Sequence, residues 1–159
     1  MKRARISEPA TATMPAGEEA GDIGAIREIV GFHLRLAYGA VYRHFGETFS
    51  HLDLTQKQVS VLWLVDDHPG IAQTGLAQRM RMDRATTMAI VNRLQARGYL
   101  VRGKSATDGR KQTLNLTDEG RTALTIAKAA VREHERWLKS RYSPEEVETL
   151  LDLLTRLHQ

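Results

Sequence analysis

The sequence contains no cysteine among its 159 residues. Without cysteine the chain has no disulfide bond, no thiolate metal ligand and no cysteine nucleophile. A sensor that works by oxidation of a thiol is excluded for the same reason. The remaining candidates for chemistry are histidines, carboxylates and basic side chains.

Long apolar runs are also missing, since none approaches the roughly 18 residues that a membrane-spanning helix needs. The N-terminus carries Lys2, Arg3 and Arg5 but lacks the apolar stretch of a signal peptide. We therefore expect a cytoplasmic protein with no membrane partner. The length fits one domain, and 42% hydrophobic with 26% charged residues is an ordinary globular balance.

Spacings typical of enzymes are absent as well. The six histidines and 19 carboxylates form no metal-binding helix motif, nucleophile elbow or phosphate loop. We expect no catalytic residue, no metal ligand and no cofactor. A metal sensor built from carboxylates and histidines is a weaker alternative. The histidines are His33, His44, His51, His68, His134 and His158.

What the sequence does have is a concentrated positive charge. The segment from Arg79 to Lys111 contains nine basic residues and two acidic ones. Its net charge is therefore +7, whereas that of the whole chain is +4. A basic segment in an otherwise slightly acidic protein favours a polyanionic partner. The alternative is a solvated charged face, so the position of this segment in the fold decides between them.

The chain begins with a segment that shows no hydrophobic period, which predicts a disordered tail over residues 1–21. One domain is expected over residues 22–159. Apolar residues at steps of three and four then predict a first helix from an N-cap at Asp22 to about Phe49.

Two shorter helices are expected next. Thr55 and Gln58 form a capping box for the second helix, which carries Val59, Leu62 and Trp63 inward. Pro69 and Gly70 end it. A third helix is predicted over residues 73–80.

Asp83 then caps a basic fourth helix that Gly98 closes. Its buried face is expected to be Thr87, Ile90, Val91 and Leu94. Two short helices with a tight connection, the second of them basic, indicate a helix-turn-helix.

Two short strands follow, over residues 100–104 and 111–116, joined by a turn-forming stretch. A hairpin directly after such a helix is a wing. Thr117 and Ser143 cap two final helices, the last with an apolar stripe. The fold class is therefore mainly α with a small β-hairpin wing. The stripe consists of Val147, Leu150, Leu151, Leu154 and Leu157.

These elements, in this order, resemble the multiple-antibiotic-resistance-regulator (MarR) family over roughly residues 23–157. The resemblance is carried by "LTQKQVSVLWLV" from Leu54, "LAQRM" from Leu76, "MDRATTMAIVNRLQARGYLVR" from Met82, "DGR" from Asp108 and "LNLTDEG" from Leu114. It implies a homodimer with two winged helix-turn-helix lobes, each over about residues 54–117. The helices of residues 22–50 and 118–158 would form the dimerisation region.

The fourth helix would then lie in the major groove of double-stranded DNA. Arg84 is the first choice for a base contact, and Thr86 is expected at a base or phosphate. Ala85, Met88 and Ala89 would touch thymine methyl groups. Asn92 and Arg93 complete the outward face. Arg93 and Arg97 each either meet the DNA backbone, pair with Asp108 or stay solvated.

Residues outside this helix would fix the register on DNA. Gln73 and Thr74 are expected at phosphates, although Ala72 stands where the family often has a serine or threonine cap. In the wing, Arg110 matches the family arginine that enters the minor groove, and Asp108 would orient a neighbouring arginine. Lys104 and Lys111 are expected at phosphates.

Two symmetry-related lobes would read a pseudo-palindromic operator, which makes repression the expected outcome. The resemblance also implies release by a small molecule bound among the first, second and fifth helices. Aromatic and cationic residues there favour an aromatic carboxylate or its coenzyme A thioester. They are Phe32, His33, Arg35, Leu36, Tyr38, Tyr42, Arg43 and Trp63. The alternative is a constitutive DNA-binding protein or an activator with no ligand.

Overall fold

The structure is a computed structural model that describes residues 23–104 and 112–159. Contacts divide the chain into an N-terminal unit that ends at Ala37 and a main unit, Tyr38–Gln159. Within the described ranges, no helix combines the length and apolarity needed to cross a bilayer. The predicted tail, residues 1–21, lies outside them.

The described residues form six α-helices and three short strands. In chain order these are α1 (Val30–Phe49), α2 (Gln56–Asp67), β1 (Ile71–Ala72), α3 (Gln73–Arg79), α4 (Arg84–Ala96), β2 (Leu100–Lys104), β3 (Gln112–Leu116), α5 (Asp118–Lys139) and α6 (Pro144–His158). This order confirms the predicted fold class, mainly α with a small β wing.

The first helix begins later than the sequence predicted. A separate 3-10 turn occupies Gly24–Glu28, and Ile29 after it is extended, with φ −86° and ψ 109°. Gly24 has a φ of 62°, a left-handed conformation that costs glycine little. Because an extended residue cannot continue a helix, α1 starts only at Val30. The start predicted at Asp22 was wrong, and Asp22 itself lies outside the described residues.

The predicted helix caps are confirmed. The Thr55 N–H donates to Gln58 Oε1 over 2.8 Å, while the Gln58 N–H donates to Thr55 Oγ1 over 3.3 Å. Thr117 accepts from the Gly120 N–H, and Ser143 forms a second capping box with Glu146. Side-chain oxygens thus satisfy N–H groups that have no partner inside the helix.

The wing belongs to a three-stranded antiparallel sheet rather than a two-stranded hairpin. Its order is β1-β3-β2, with Ile71 opposite Leu114 and Leu100 opposite Leu116. β1 was not predicted, because two residues are too few to show an alternating pattern. The first residue of the predicted second strand, Lys111, lies outside the described residues.

The core of the main unit lies between α2, α4, α5 and the sheet. The predicted inner face of α4 is confirmed, since all four of its residues are buried. Leu62, Leu76 and Leu94 are each 0% exposed, and Leu114 and Leu124 close the core from β3 and α5. Trp63, predicted inward, is only partly buried against the same core.

α6 has no buried residue, although six of its 15 residues are valine or leucine. Leu151 is 58% exposed, Leu154 38% and Leu157 64%. Most of the stripe that the sequence predicted is therefore uncovered in the single chain.

α1 contacts α5 through two histidines. His44 Nδ1 and His134 Nδ1 lie 2.8 Å apart, so one ring donates its proton and the other accepts it. The Trp137 ring stacks on His44, with ring centroids 3.9 Å apart. Burial and the neighbouring His44 lower the pKa of His134, against a smaller opposing effect of Glu135.

Gly120, in the first turn of α5, packs against the backbone of Tyr99, the residue before β2. A Cβ atom on Gly120 would lie 2.0 Å from the carbonyl oxygen of Tyr99, which accepts a hydrogen bond from the Thr117 N–H at 3.1 Å. Both atoms belong to the backbone and cannot move aside independently. Only a residue without a side chain fits there.

We expect Gly120→Ala to lower the free energy of unfolding by about 1–3 kcal/mol, the usual cost of overpacking. Gly46→Ala is the matched control, because a Cβ on Gly46 meets nothing within 4 Å. Replacing that helical glycine should stabilise the protein by roughly 0.5–1 kcal/mol. Urea unfolding followed by circular dichroism measures both, and equal midpoints for the two variants would contradict the close approach.

We expect the protein to lose stability as the pH falls below the ordinary histidine pKa of 6.5. The pKa of His134 is lower in the folded chain, so the unfolded chain binds more protons as the pH falls through this range. The contribution is complete above 6.5 and is lost as the pH approaches the lowered value. Urea unfolding at a series of pH values should show a flatter slope for His134→Gln. A slope equal to that of the exposed control His68→Gln would refute this assignment.

Candidate nucleic-acid interface

The N-terminus of α4 is fixed by Asp83. Its Oδ1 accepts from the Thr86 N–H at 2.7 Å and its Oδ2 from the Thr86 hydroxyl at 2.6 Å. These two bonds lower the pKa of the Asp83 carboxyl. Thr86, predicted at a base or phosphate, therefore already donates its hydroxyl proton to the cap.

The face of α4 opposite the core is open to solvent. Arg84 and Arg93 are exposed, and within the described chain neither forms an ion pair or hydrogen bond. Met88 between them is 49% exposed. The helix thus presents free cations and small or apolar side chains along one side. The remaining exposed residues of this face are Ala85, Ala89 and Asn92.

Arg102, at the base of the wing, forms hydrogen bonds to both α3 and α4. This role was not predicted from the sequence. The Arg102 guanidinium donates to Asn92 Oδ1 at 2.7 Å, Gln95 Oε1 at 2.8 Å and Gln73 Oε1 at 3.5 Å. Its Nε is buried and has no hydrogen-bond partner in the described part of the chain. The available signal was the strand period, which puts Arg102 on the same side of β2 as the buried Leu100.

The residues predicted to contact phosphates differ in their exposure and in whether they already have hydrogen-bond partners. Gln73 is half-buried and bonded to Arg102, whereas Thr74 is exposed. Ala72, the N-cap of α3, makes no side-chain capping bond, as its methyl group requires. Lys104 is exposed at the end of β2. Three predicted wing residues, Asp108, Arg110 and Lys111, lie outside the described residues.

Arg97 is held by contacts within the protein, although 31% of its side chain is exposed. It donates to the backbone carbonyls of Leu52 and Asp53 and forms an ion pair of 3.5 Å with the Asp53 carboxylate. It also donates to the Tyr99 hydroxyl at 3.2 Å. Among the described residues its ionic partner is thus Asp53, in the loop between α1 and α2, whereas Asp108 lies outside them.

In the N-terminal unit, three of the predicted ligand residues contact one another or the backbone. His33 Nε2 donates to the Arg27 carbonyl at 2.6 Å, and its ring meets Phe32 edge-on. The Arg35 guanidinium lies 5.2 Å from the Phe32 ring centre. Leu36 is 47% exposed.

In the main unit, Tyr38 and Tyr42 stack with ring centres 5.9 Å apart, and Arg43 is exposed. Trp63 lies beside Lys128 Nζ at 4.9 Å and lines a cleft of about 230 Å³ between α1, α2 and α5. Tyr42 lines a different cavity of about 590 Å³, between α1, α2 and α4. Of the predicted ligand residues in this unit, Trp63 and Tyr42 therefore line different cavities.

Among residues 23–104 and 112–159, no three histidine, aspartate or glutamate side chains converge as metal ligands would. The interface thus consists of α4, with one buried and one exposed face, and beside it a sheet edge and the polar contacts of Arg102. This arrangement is expected of a nucleic-acid-binding protein.

Comparison with known proteins agrees with this description. Residues 52–111 match the model described as "MarR family". A putative transcriptional regulatory protein for the hcr operon of Thauera aromatica is 32% identical over 148 residues, covering 91% of this chain and 89% of that protein.

Two solved structures have the same fold. The transcriptional repressor CouR bound to a 23-mer DNA duplex is 34% identical, with a TM-score of 0.80 over 86% of this chain and 96% of that one. CouR from Rhodococcus jostii RHA1 bound to p-coumaroyl-CoA is 27% identical, with a TM-score of 0.77 over 84% and 94%. On these grounds, the chain belongs to the MarR family of DNA-binding transcriptional regulators and has its winged-helix fold.

Proposed function

We propose that this protein is a repressor that binds a pseudo-palindromic operator as a homodimer and leaves it when a small molecule binds. The observation that carries the proposal is that α4 has one buried face and one exposed face. Four buried residues fix one side, while on the other side Arg84 and Arg93 have no partner among the residues that the structure describes. Its place of action is the cytoplasm, where the operator lies.

Sequence recognition is assigned to the open face of α4. Arg84 stands in the first turn, where a guanidinium can donate two bonds to one guanine in the major groove. Ala85, Met88 and Ala89 present methyl groups to thymines. Arg93 bonds a phosphate, and Asn92 is held beside the groove by Arg102.

Register on the duplex comes from elements around α4. Thr74 and Lys104 contact phosphates, and Gln73 supports them through its bond to Arg102. Arg110 enters the minor groove, Asp108 orients a neighbouring arginine and Lys111 adds a phosphate contact. A narrow A·T-rich groove has the negative potential that favours such an arginine.

The homodimer would cover the apolar faces that a single chain leaves exposed. On α6 the uncovered residues are Leu151, Leu154 and Leu157. On α1, Val30 is 68% exposed and Leu34 39%. Exposed apolar surface of this extent on two helices is typical of a subunit interface.

The effector is an aromatic carboxylate or its coenzyme A thioester. The predicted ligand residues supply aromatic rings and cations, and one of them, Trp63, lines a cleft between α1, α2 and α5. That a CouR protein is seen with p-coumaroyl-CoA supports this choice of ligand class.

We expect the wild-type protein to bind a duplex from upstream of its own gene, and 4-hydroxycinnamate or its coenzyme A thioester to reverse the binding. Arg84→Ala should lower the operator affinity by about 1–3 kcal/mol, the usual value of a bidentate contact with a base. The substitution should also relax the preference for the contacted base. Fluorescence anisotropy at two salt concentrations measures all three effects.

Lys57→Ala is the control, because it removes an equal charge from an exposed position on α2 and should leave operator binding unchanged. If both variants lose affinity equally, general charge rather than recognition explains the binding. Operator binding that no compound of this class reverses would favour a constitutive DNA-binding protein.

We expect Leu154→Glu to convert the dimer to monomers that bind the operator weakly, since the change places a charge in the proposed interface. Analytical ultracentrifugation measures the mass, and anisotropy measures the operator affinity. Arg156→Glu is the matched control on the same helix, at a residue whose side chain is 68% exposed. A Leu154→Glu dimer as stable as the control would place the interface elsewhere.

A further inference from the structure

All the sulfur in this chain belongs to methionine, since the sequence has five methionines and no cysteine. Met80, Met82 and Met88 lie within the described residues. Met80 and Met82 are partly buried and pack against the hydrophobic core, whereas Met88 is 49% exposed. A dissolved oxidant must reach a thioether from the solvent before it can react. Met88 is therefore the most accessible of the three to oxidation.

Met88 lies in the middle of the exposed face of α4. Its neighbours on that face, Ala85 and Ala89, carry only methyl groups, which are too short to cover a longer side chain. The proposed function assigns this face to the major groove and places Met88 at thymine methyl groups. A chemical change at the Met88 sulfur thus alters a surface that contacts DNA and leaves the core untouched.

Arg84 precedes Met88 by one helical turn. Residues four apart are neighbours on a helix surface, and side chains lean towards the N-terminus, so Met88 leans over the turn that carries Arg84. Both oxygens of the adjacent Asp83 carboxylate already accept from Thr86, at 2.7 and 2.6 Å. No described residue pairs with Arg84. A hydrogen-bond acceptor formed on Met88 would therefore have an unpaired donor within reach.

Oxidation by a hydroperoxide creates such an acceptor. The sulfur lone pair attacks one peroxide oxygen, and the S–O bond forms as the O–O bond breaks. The leaving hydroxide takes the proton from the transferred oxygen and departs as water. The sulfur loses two electrons, the peroxide gains them, and the product is methionine sulfoxide.

The sulfoxide changes the DNA-facing surface in two ways. A polar group replaces an apolar one, which makes contact with thymine methyl groups unfavourable. The sulfoxide oxygen also accepts a hydrogen bond from the Arg84 guanidinium, which is then withdrawn from the guanine that it would contact. Both effects weaken operator binding. The fold is unaffected, because residue 88 is exposed.

We propose that Met88 is an oxidation site through which a hydroperoxide releases the protein from its operator. The release rests on the proposed function, whereas the preferential oxidation of Met88 does not. Enzymes that reduce methionine sulfoxide restore the thioether, so the change is reversible. Operator binding thereby responds to peroxide in a chain that has no thiol.

The first test locates the oxidation in the full chain. The protein is treated with hydrogen peroxide, catalase removes the excess, and tryptic peptides are weighed by mass spectrometry. Cleavage after Arg84 and Arg93 leaves Met88 as the only methionine of its peptide. We expect Met88 to gain an oxygen atom faster than Met80 and Met82 do. Oxidation of either of those residues as fast as that of Met88 overturns the proposal.

The second test compares the operator affinity of each variant before and after peroxide. Wild type should lose about tenfold or more, because the contact of Arg84 with a base is at stake. Met88→Leu retains an apolar side chain without sulfur and should lose nothing. Met82→Leu is the matched control and should lose as much as wild type. Fluorescence anisotropy measures these losses, and a loss in Met88→Leu equal to that of wild type contradicts the assignment.

Two further measurements separate the proposed mechanism from damage to the fold. Urea unfolding of treated wild type should give the midpoint of the untreated protein, and a lower midpoint would mean that unfolding explains the loss. In Arg84→Ala, peroxide should lower the operator affinity by a smaller factor than in wild type, since no guanidinium remains to be withdrawn. An equal factor would exclude the contact between the sulfoxide and Arg84.

Failure of this proposal and failure of the proposed function give different results. Untreated wild type that binds no specific DNA refutes the repressor function, and the peptide masses still decide whether Met88 is the oxidation site. Operator binding that persists after Met88 is fully oxidised refutes the release by peroxide and leaves the repressor function intact.

Discussion

The placement of α4 depends on the burial of one side of the helix. Thr87, Ile90, Val91 and Leu94 are held against the core by α2, the sheet and α3. Complete burial of these side chains fixes both the depth and the rotation of the helix, because any rotation would expose apolar surface or bury a charge. The direction in which Arg84 and Arg93 point follows from that packing.

Two kinds of local feature could be predicted from the sequence, namely helix caps and the periodic buried faces of helices. Thr55, Asp83, Thr117 and Ser143 were each identified as caps, and each accepts the expected N–H in the structure. The buried face of α4 could also be predicted, because its apolar residues recur at steps of three and four. These features depend only on residues close together in the chain.

Features that depend on distant partners were not readable. The turn at Gly24 and the extended Ile29 separate a stretch whose apolar period looked continuous with α1. Arg102 meets residues from two helices, and Arg97 meets a loop more than 40 positions away. The residues next to Arg102 and Arg97 in the sequence form no pattern that indicates these long-range contacts. The two cavities were likewise unpredictable, because their walls come from separate elements.

The tie at Arg97 has a consequence for how this sequence can change over time. Two of its bonds end on main-chain oxygens, those of Leu52 and Asp53, which every amino acid supplies. Position 52 can therefore change without breaking this contact, whereas the positive φ at position 53 favours asparagine, aspartate or glycine there. Position 97 has no such freedom, since only arginine offers a fork of this reach. Orthologues should accordingly vary at position 52 and retain arginine at position 97.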